Sequence, residues 1–267
     1  MTPGGADSIS RSQSVCVVLP AYNAARTLAA TVGRIPREGI DHVLLVDDGS
    51  IDGTAGIARR LGIQVIEHES NRGYGANQKT CYLAAMKTDA SIVVMVHPDG
   101  QHDPELIPHI VGFVASGVVD IVLGNRILRR SDVLGGGMPP LKYFVNRILT
   151  IVENVILGYN LPEYHTGYRA FSRRVLETVN FEECSDDFIF DQEILVQARL
   201  RNFRVGSVPV PTHYGNESSS ISLGRGFRYT VQTLLLLVRF ILYRLGWHSQ
   251  GLFLSRRLVD GSTLSQR

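Results

Sequence analysis

The stretch Ile92-Val-Val-Met-Val-His97-Pro98-Asp99-Gly100-Gln101-His102-Asp103-Pro104 sets the frame for the rest of the chain. Its apolar run, Ile92 to Val96, predicts a strand buried on both faces, as in a parallel sheet. Pro98 and Gly100 force the chain to turn after it. The turn carries His97, Asp99, Gln101, His102 and Asp103, all able to bind a metal or a proton. Open α/β sheets hold their ligands at the carboxyl ends of such strands. A second reading is a polar turn whose Asp103 caps a helix opening at Pro104.

Outward from this stretch, strands are predicted over 15–19 (ended by Pro20), 42–46, 64–67, 120–124 and 204–210. Helices are predicted over 24–35, 55–61, 76–86, 104–115, 141–157, 173–179 and 190–201, with a loop and strand over 164–172. Strands alternating with helices across short loops predict an α/β domain with a mostly parallel central sheet flanked by helices. Residues 128–140, rich in Gly, Arg and Pro, form a candidate lid.

Composition agrees with a globular chain: 267 residues, 44% apolar and 19% charged. The net charge of +2 is uneven, because residues 223–267 hold seven arginines against Asp260 alone, about +6, leaving about −4 elsewhere. Cys16, Cys81 and Cys184 lack C-x-x-C spacing and read as buried thiols, neither a disulfide framework nor a zinc site. Residues 1–14 are polar and read as a tail, not a signal peptide. The strongest apolar segment, 227–245, is interrupted by Arg239 and falls short of the roughly 20 residues of a spanning helix. Its arginines and aromatic residues fit C-terminal amphipathic helices lying in a membrane interface. The competing reading packs this segment on the protein's own core or in a dimer interface. The expected division is therefore a tail (1–14), a catalytic domain (15–222) and a basic membrane-associating or oligomerising segment (223–267).

Asp47-Asp48-Gly49-Ser50 ends the second strand, where a carboxylate can accept from a nucleobase or ribose, or cap the next helix. Asn71-Arg-Gly-Tyr-Gly75 is like a phosphate cradle but lacks the Lys-Ser/Thr of a P-loop, and no G-x-G-x-x-G follows the first strand. Those absences argue against NTPases and dehydrogenases. Leu19-Pro-Ala-Tyr-Asn23, Val46-Asp-Asp-Gly-Ser50 with Asp52-Gly-Thr54, Asn71-Arg-Gly-Tyr-Gly75 and Asp99-Gly-Gln101 with Asp103-Pro-Glu105 occur in that order. So arranged, and extended by Gly124-Asn-Arg126, Thr166-Gly-Tyr-Arg-Ala-Phe171 and Phe190-Asp-Gln-Glu193, they closely resemble the family 2 glycosyltransferases of the GT-A fold. Within that family the chain looks most like the dolichyl-phosphate mannose synthases and bacterial polyprenyl-phosphate glycosyltransferases.

The resemblance implies roles residue by residue. Pro20, Tyr22, Val46 and Asp48 match positions that hold the donor nucleotide. Asp99 matches the last Asp of D-x-D and Gln101 the Gln after it, both facing a divalent ion, Mn²⁺ or Mg²⁺, on the donor pyrophosphate. Arg126 matches a basic position that meets donor or acceptor phosphate. Three departures stand out. His97 replaces the first Asp of D-x-D, either as a third ligand that favours Mn²⁺ or turned away from the ion. Ala24-Ala25 stands where many relatives carry an acid, and Ser218-Ser-Ser220 where a lysine often lies near the phosphates.

A lipid phosphate needs no deprotonation, whereas a hydroxyl acceptor needs a base, for which Asp191 and Glu193 are candidates. Their alternative role is charge favourable to a helix N-terminus. Arg169, His213 and Tyr214 are placed on the acceptor side; His102, His109 and His165 read as surface or structural groups. The reading implied is an inverting, metal-dependent glycosyltransferase. It moves a sugar from a GDP- or UDP-linked donor to polyprenyl phosphate, peripherally bound at the cytoplasmic face of a membrane, with no nucleic-acid partner and with homo-oligomerisation open. Alternatives are the same fold acting on a soluble sugar, polysaccharide or small hydroxylated acceptor, or a non-catalytic nucleotide-sugar binding protein.

Overall fold

A computed structural model describes residues 13–127, 139–211, 223–247, 251–254 and 256. Its strands are β1 (Val15–Ala21), β2 (His42–Asp47), β3 (Gln64–Glu67), β4 (Ile92–Met95), β5 (Ile121–Asn125), β6 (Arg169–Ser172) and β7 (Val205–Pro209). They form one seven-stranded sheet in the order β3-β2-β1-β4-β6-β5-β7. All pairings are parallel except those of β6, which runs antiparallel to both β4 and β5. The helices are α1 (Leu28–Gly33), α2 (Thr54–Arg60), α3 (Tyr74–Met86), α4 (Ile107–Ala115), α5 (Pro140–Leu157), α6 (Arg173–Thr178), α7 (Phe190–Leu200) and α8 (Leu223–Arg244).

The two-residue period of the central strands distributes side chains to two cores. Val15, Val17 and Leu19 of β1 with Ile92 and Val94 of β4 face Leu28, Ala58, Ile107 and Ile110, on the side of α1, α2 and α4. Cys16 and Val18 with Val93 and Met95 face Cys81, Tyr82, Ile194 and Leu195, on the side of α3 and α7. All three cysteines are free and buried, as their apolar neighbours in sequence suggest.

Pro20 does not end β1, which continues to Ala21. The backbone groups of Val18 and Pro20 point to the same side, and Val18 accepts from Val96 there. Pro20 lies beyond the last β4 pairing, so its missing N–H leaves no ladder bond unmade. Strand order reverses between β1 and β4, and a crevice therefore opens at their carboxyl ends. The turn after β4 lies in that crevice.

The C-terminal segment differs from a simple two-faced amphipathic helix. α8 buries Thr233, Leu236, Leu237 and Phe240 on the protein, yet its outer face, with Leu235, Val238 and Ile241, is also apolar. Beyond it, Leu252 and Phe253 are buried again, and Asn180 Nδ2 donates to the Gly251 carbonyl at 3.3 Å. No helix among the described residues is long and apolar enough to cross a membrane. Most of the expected lid (128–138) and tail (1–12) lie outside the described residues.

Candidate active site

Three loops meet at the carboxyl ends of β1, β2 and β4. Asn23 N donates to Ser50 Oγ at 2.8 Å, and Ile51 N to Asn23 Oδ1 at 3.1 Å. Asp52 accepts from Ala25 N at 2.9 Å and Thr54 N at 3.1 Å, which locks the first loop to the second. Thr27 Oγ1 donates to the Pro98 carbonyl and ties in the third. On this framework Tyr22 stays 53% exposed, its ring presented at the rim. Val46, expected at the nucleotide, is fully buried in the sheet core, so its side chain cannot reach a ligand.

Asp48 is likewise buried, and three donors converge on its carboxylate. It accepts from His68 Nδ1 at 2.6 Å, Arg72 N at 2.9 Å and Gly73 N at 3.0 Å. As placed, it braces the glycine-rich loop. Asp47 Oδ1, by contrast, is buried with no hydrogen-bond partner. The loop 71–75 itself is no phosphate cradle. A Cβ on Gly75 would lie 2.2 Å from the Ser185 carbonyl oxygen, and Gly75 N donates to the Asp186 carbonyl at 2.8 Å. The glycine permits close backbone packing against the segment before α7.

That packing brings in a residue the sequence did not single out. Tyr74 donates to Asp191 Oδ2 at 2.8 Å, and its oxygen lies 3.3 Å from His97 Nε2, with the two rings stacked at 5.4 Å. Burial, and then the nearby Asp191 charge, push the Tyr74 phenol well above its ordinary range, so it remains a donor. Burial pulls the His97 imidazole below its usual value, against the opposing pull of Asp99 and Asp191. The Pro20 carbonyl beside the ring also raises it. Gly167 makes room for this ring: a Cβ there would lie 2.5 Å from His97 Cδ2. Asp191 Oδ1 is buried without a hydrogen-bond partner.

In the turn itself, Asp99 Oδ1 accepts from Gln101 N at 3.0 Å, and Gln101 is buried behind it. Asp103 caps the short turn at Pro104 by accepting from Glu105 N at 3.0 Å, and pairs with Arg34 at 2.8 Å. His102 is buried against Tyr168, and burial pulls its pKa down to about 3, which keeps it neutral. The donor set fits a divalent ion in part. Asp99 offers a hard carboxylate at the crevice, but His97 turns its ring toward Tyr74 and Pro20. Among the described residues no group of three or more His, Cys, Asp or Glu side chains could hold an ion unaided.

Arg126 is held at the end of β5 by Glu163, which accepts from Arg126 N at 2.9 Å and Nε at 3.0 Å. Its Nη2 reaches both Glu163 and the His165 carbonyl. Lys142, in the first turn of α5, feels both charges: burial and then Arg126 lower its pKa, while Glu163 raises it. Arg126 and Lys142 thus form a cationic corner, the lysine standing far in sequence from Ser218-Ser-Ser220. Arg169 does not line an acceptor surface. It is fully buried, donating to the carbonyls of Thr166, Tyr164 and Asp191 at 2.7–3.0 Å. Glu193 points away from Asp191, accepts from Ser185 N at 2.6 Å and lines a separate cavity of about 360 Å³ with Gln232 and Arg239. Burial raises its carboxyl above the ordinary range. His213 and Tyr214 lie outside the described residues. His109 is exposed, and His165 is a partly buried structural group, its Nδ1 2.8 Å from Tyr229 Oη of α8.

Residues 16–179 match the model of glycosyl transferase family 2, more than half of the chain. The chain belongs to that family. Relatives include a UDP-N-acetylglucosamine–dolichyl-phosphate N-acetylglucosaminyltransferase of Methanococcus voltae, 26% identical over 79% of this chain and 89% of that protein. A polyprenol monophosphomannose synthase of Mycolicibacterium smegmatis is 27% identical over 76% of this chain and 78% of that protein. Among solved structures, glucosyl-3-phosphoglycerate synthase of Mycobacterium tuberculosis aligns with a TM-score of 0.67 at 21% identity, covering 90% of this chain and 82% of that one. That neighbour has also been crystallised with Mn²⁺ and UDP. The protein is therefore a glycosyltransferase of GT-A fold, and family membership sets the non-catalytic alternative aside.

Proposed function

We propose that this glycosyltransferase moves a sugar, with inversion, from a GDP- or UDP-linked donor to a polyprenyl phosphate, working peripherally at the cytoplasmic face of a membrane. The observation that carries the reading is His165. Its carbonyl accepts from Arg126, and its ring bonds Tyr229, so the cationic corner is fastened to the apolar tail helix. A phosphate on a lipid anchor is the acceptor that needs both. The relatives named above, dolichyl-phosphate and polyprenol enzymes, support the same acceptor class.

In this mechanism the base and ribose lie along Pro20 and the exposed Tyr22 ring, and Asp99 with Gln101 would hold a divalent ion, Mn²⁺ or Mg²⁺. The ion, when bound, offsets charge on the departing diphosphate. The acceptor phosphate is already ionised at neutral pH. Its oxygen bonds to the anomeric carbon while the bond from that carbon to the diphosphate oxygen breaks, its electron pair leaving with the nucleoside diphosphate. Arg126 and Lys142 hold the acceptor phosphate against the donor and oppose its repulsion. His97 serves as a positioning residue through Tyr74, and Asp191 Oδ1 takes a donor-sugar hydroxyl. Glu193 has no part in the transfer.

The test is a screen of GDP- and UDP-sugars with a short-chain polyprenyl phosphate and each metal. Metal-dependent appearance of lipid-linked sugar is expected. Turnover confined to soluble hydroxylated acceptors would reject the proposal.

A further inference from the structure

Outside the crevice, the largest unexplained feature is the outer face of α5. Leu141, Phe144, Val145, Ile148, Ile151 and Val155 recur at helical spacing and all face outward, Ile148 64% and Val155 78% exposed. The opposite side of the same helix buries Asn146, Leu149, Thr150, Glu153 and Leu157. α5 packs beside α8, whose outer face is apolar as well, so the two stripes lie on neighbouring helices. Patches this large on a soluble surface mark an interaction site.

We infer that α5 and α8 together form one membrane-docking surface, with α5 as a full half of it and not the tail alone. Charge selects the occupant. The two helices carry Lys142, Arg147, Arg225, Arg228, Arg239 and Arg244, whereas their single acid, Glu153, is buried; Asp187 pairs with Arg228 at 3.6 Å and Glu193 lies by Arg239, which leaves the face net positive. A second copy seated on this face would bring one cationic rim against another. An anionic leaflet meets the apolar stripe with acyl chains and the rim with opposite charge. Trp247, 73% exposed just past α8, adds an aromatic side chain suited to the headgroup level. Docking through α5 also fixes orientation, because Asn146 of that helix donates at 3.2 Å to Glu163, the residue that holds Arg126. The membrane would then lie beside the cationic corner.

The inference does not depend on the acceptor, since vesicles without polyprenyl phosphate test it alone. Trp247 is the sole tryptophan and reports binding directly. The full chain is titrated with vesicles of phosphatidylcholine and phosphatidylglycerol in equal parts, reading tryptophan emission and co-sedimentation. Binding with a blue shift is expected, weaker on phosphatidylcholine alone. Ile148→Asp/Ile151→Asp should weaken it at least about tenfold, equivalent to ~1.4 kcal/mol, with circular dichroism and Tm unchanged. Val118→Asp, an exposed apolar site on another face, should bind normally. Wild-type binding by the α5 double variant would overturn the inference. So would a wild-type dimer that shows no vesicle binding and dissociates on the same substitutions, which would make the second copy the occupant.

Discussion

Gly167→Ala is the sharpest test of the pocket floor. The added methyl would lie 2.5 Å from His97 Cδ2 and 2.6 Å from Nε2, about 1 Å inside normal contact. Gly167 has no positive φ, so backbone strain does not contribute. Overpacking of this kind costs about 1–3 kcal/mol. At roughly 2–4 °C per kcal/mol for a chain of this size, Tm should fall by roughly 2–12 °C. The same substitution lowers unfolded-state entropy and returns about 0.4–1 kcal/mol, in any background. A double-mutant cycle with His97→Ala separates the two, because removing the ring removes the clash. Urea unfolding of the four proteins should show Gly167→Ala destabilising in the wild type and neutral or stabilising in His97→Ala. An equal cost in both backgrounds would refute the placement of the His97 ring against Gly167.

Three further outcomes are expected. Asp99→Ala should reduce turnover by about 100-fold or more, the scale of one lost transition-state contact, while loss of the bond from Gln101 N should cost only about 0.5–1.5 kcal/mol in urea unfolding; near-normal turnover would sink the metal assignment. Glu163→Ala strands Arg126 in a nearly closed site and should cost about 3–5 kcal/mol in urea unfolding. Glu193, whose folded pKa is raised by burial, contributes stability that is fully present below the unfolded value, about 4.3, and lost as pH rises through the folded one. Glu193→Gln should therefore be more stable than wild type at neutral pH, with the gain vanishing toward pH about 4; a gain that grew on acidification would contradict the buried-carboxyl account.

The parts legible in the sequence were those with local signals. β3 matches its predicted range, and the apolar runs of β1, β2 and β4 gave the parallel half of the sheet and the crevice at their ends. Asp103 capping followed from its place before Pro104-Glu105. The direction of β6 was not legible, because an antiparallel insertion leaves no mark on a four-residue strand buried like its neighbours. Nor were the partners of the site. Tyr74 meets Asp191 across 117 positions, and Gly75 is needed for a carbonyl 110 residues away. Glu163 and Lys142 converge on Arg126 from a loop and a helix that sequence spacing does not relate. Arg169 was misplaced for a physical reason: an arginine in a polar motif reads as a phosphate binder, yet here three backbone carbonyls satisfy it in the core.

The most direct test of the proposed reaction is a side-by-side rate measurement with one preparation of the full chain and its preferred donor. Short-chain polyprenyl phosphate is compared with 3-phosphoglycerate, which offers a phosphate without a lipid. Faster transfer to the polyprenyl phosphate, giving a sugar–phosphate linkage of inverted anomeric configuration, is predicted. Equal or faster transfer to the soluble ester, or a retained configuration in the lipid product, would contradict the account.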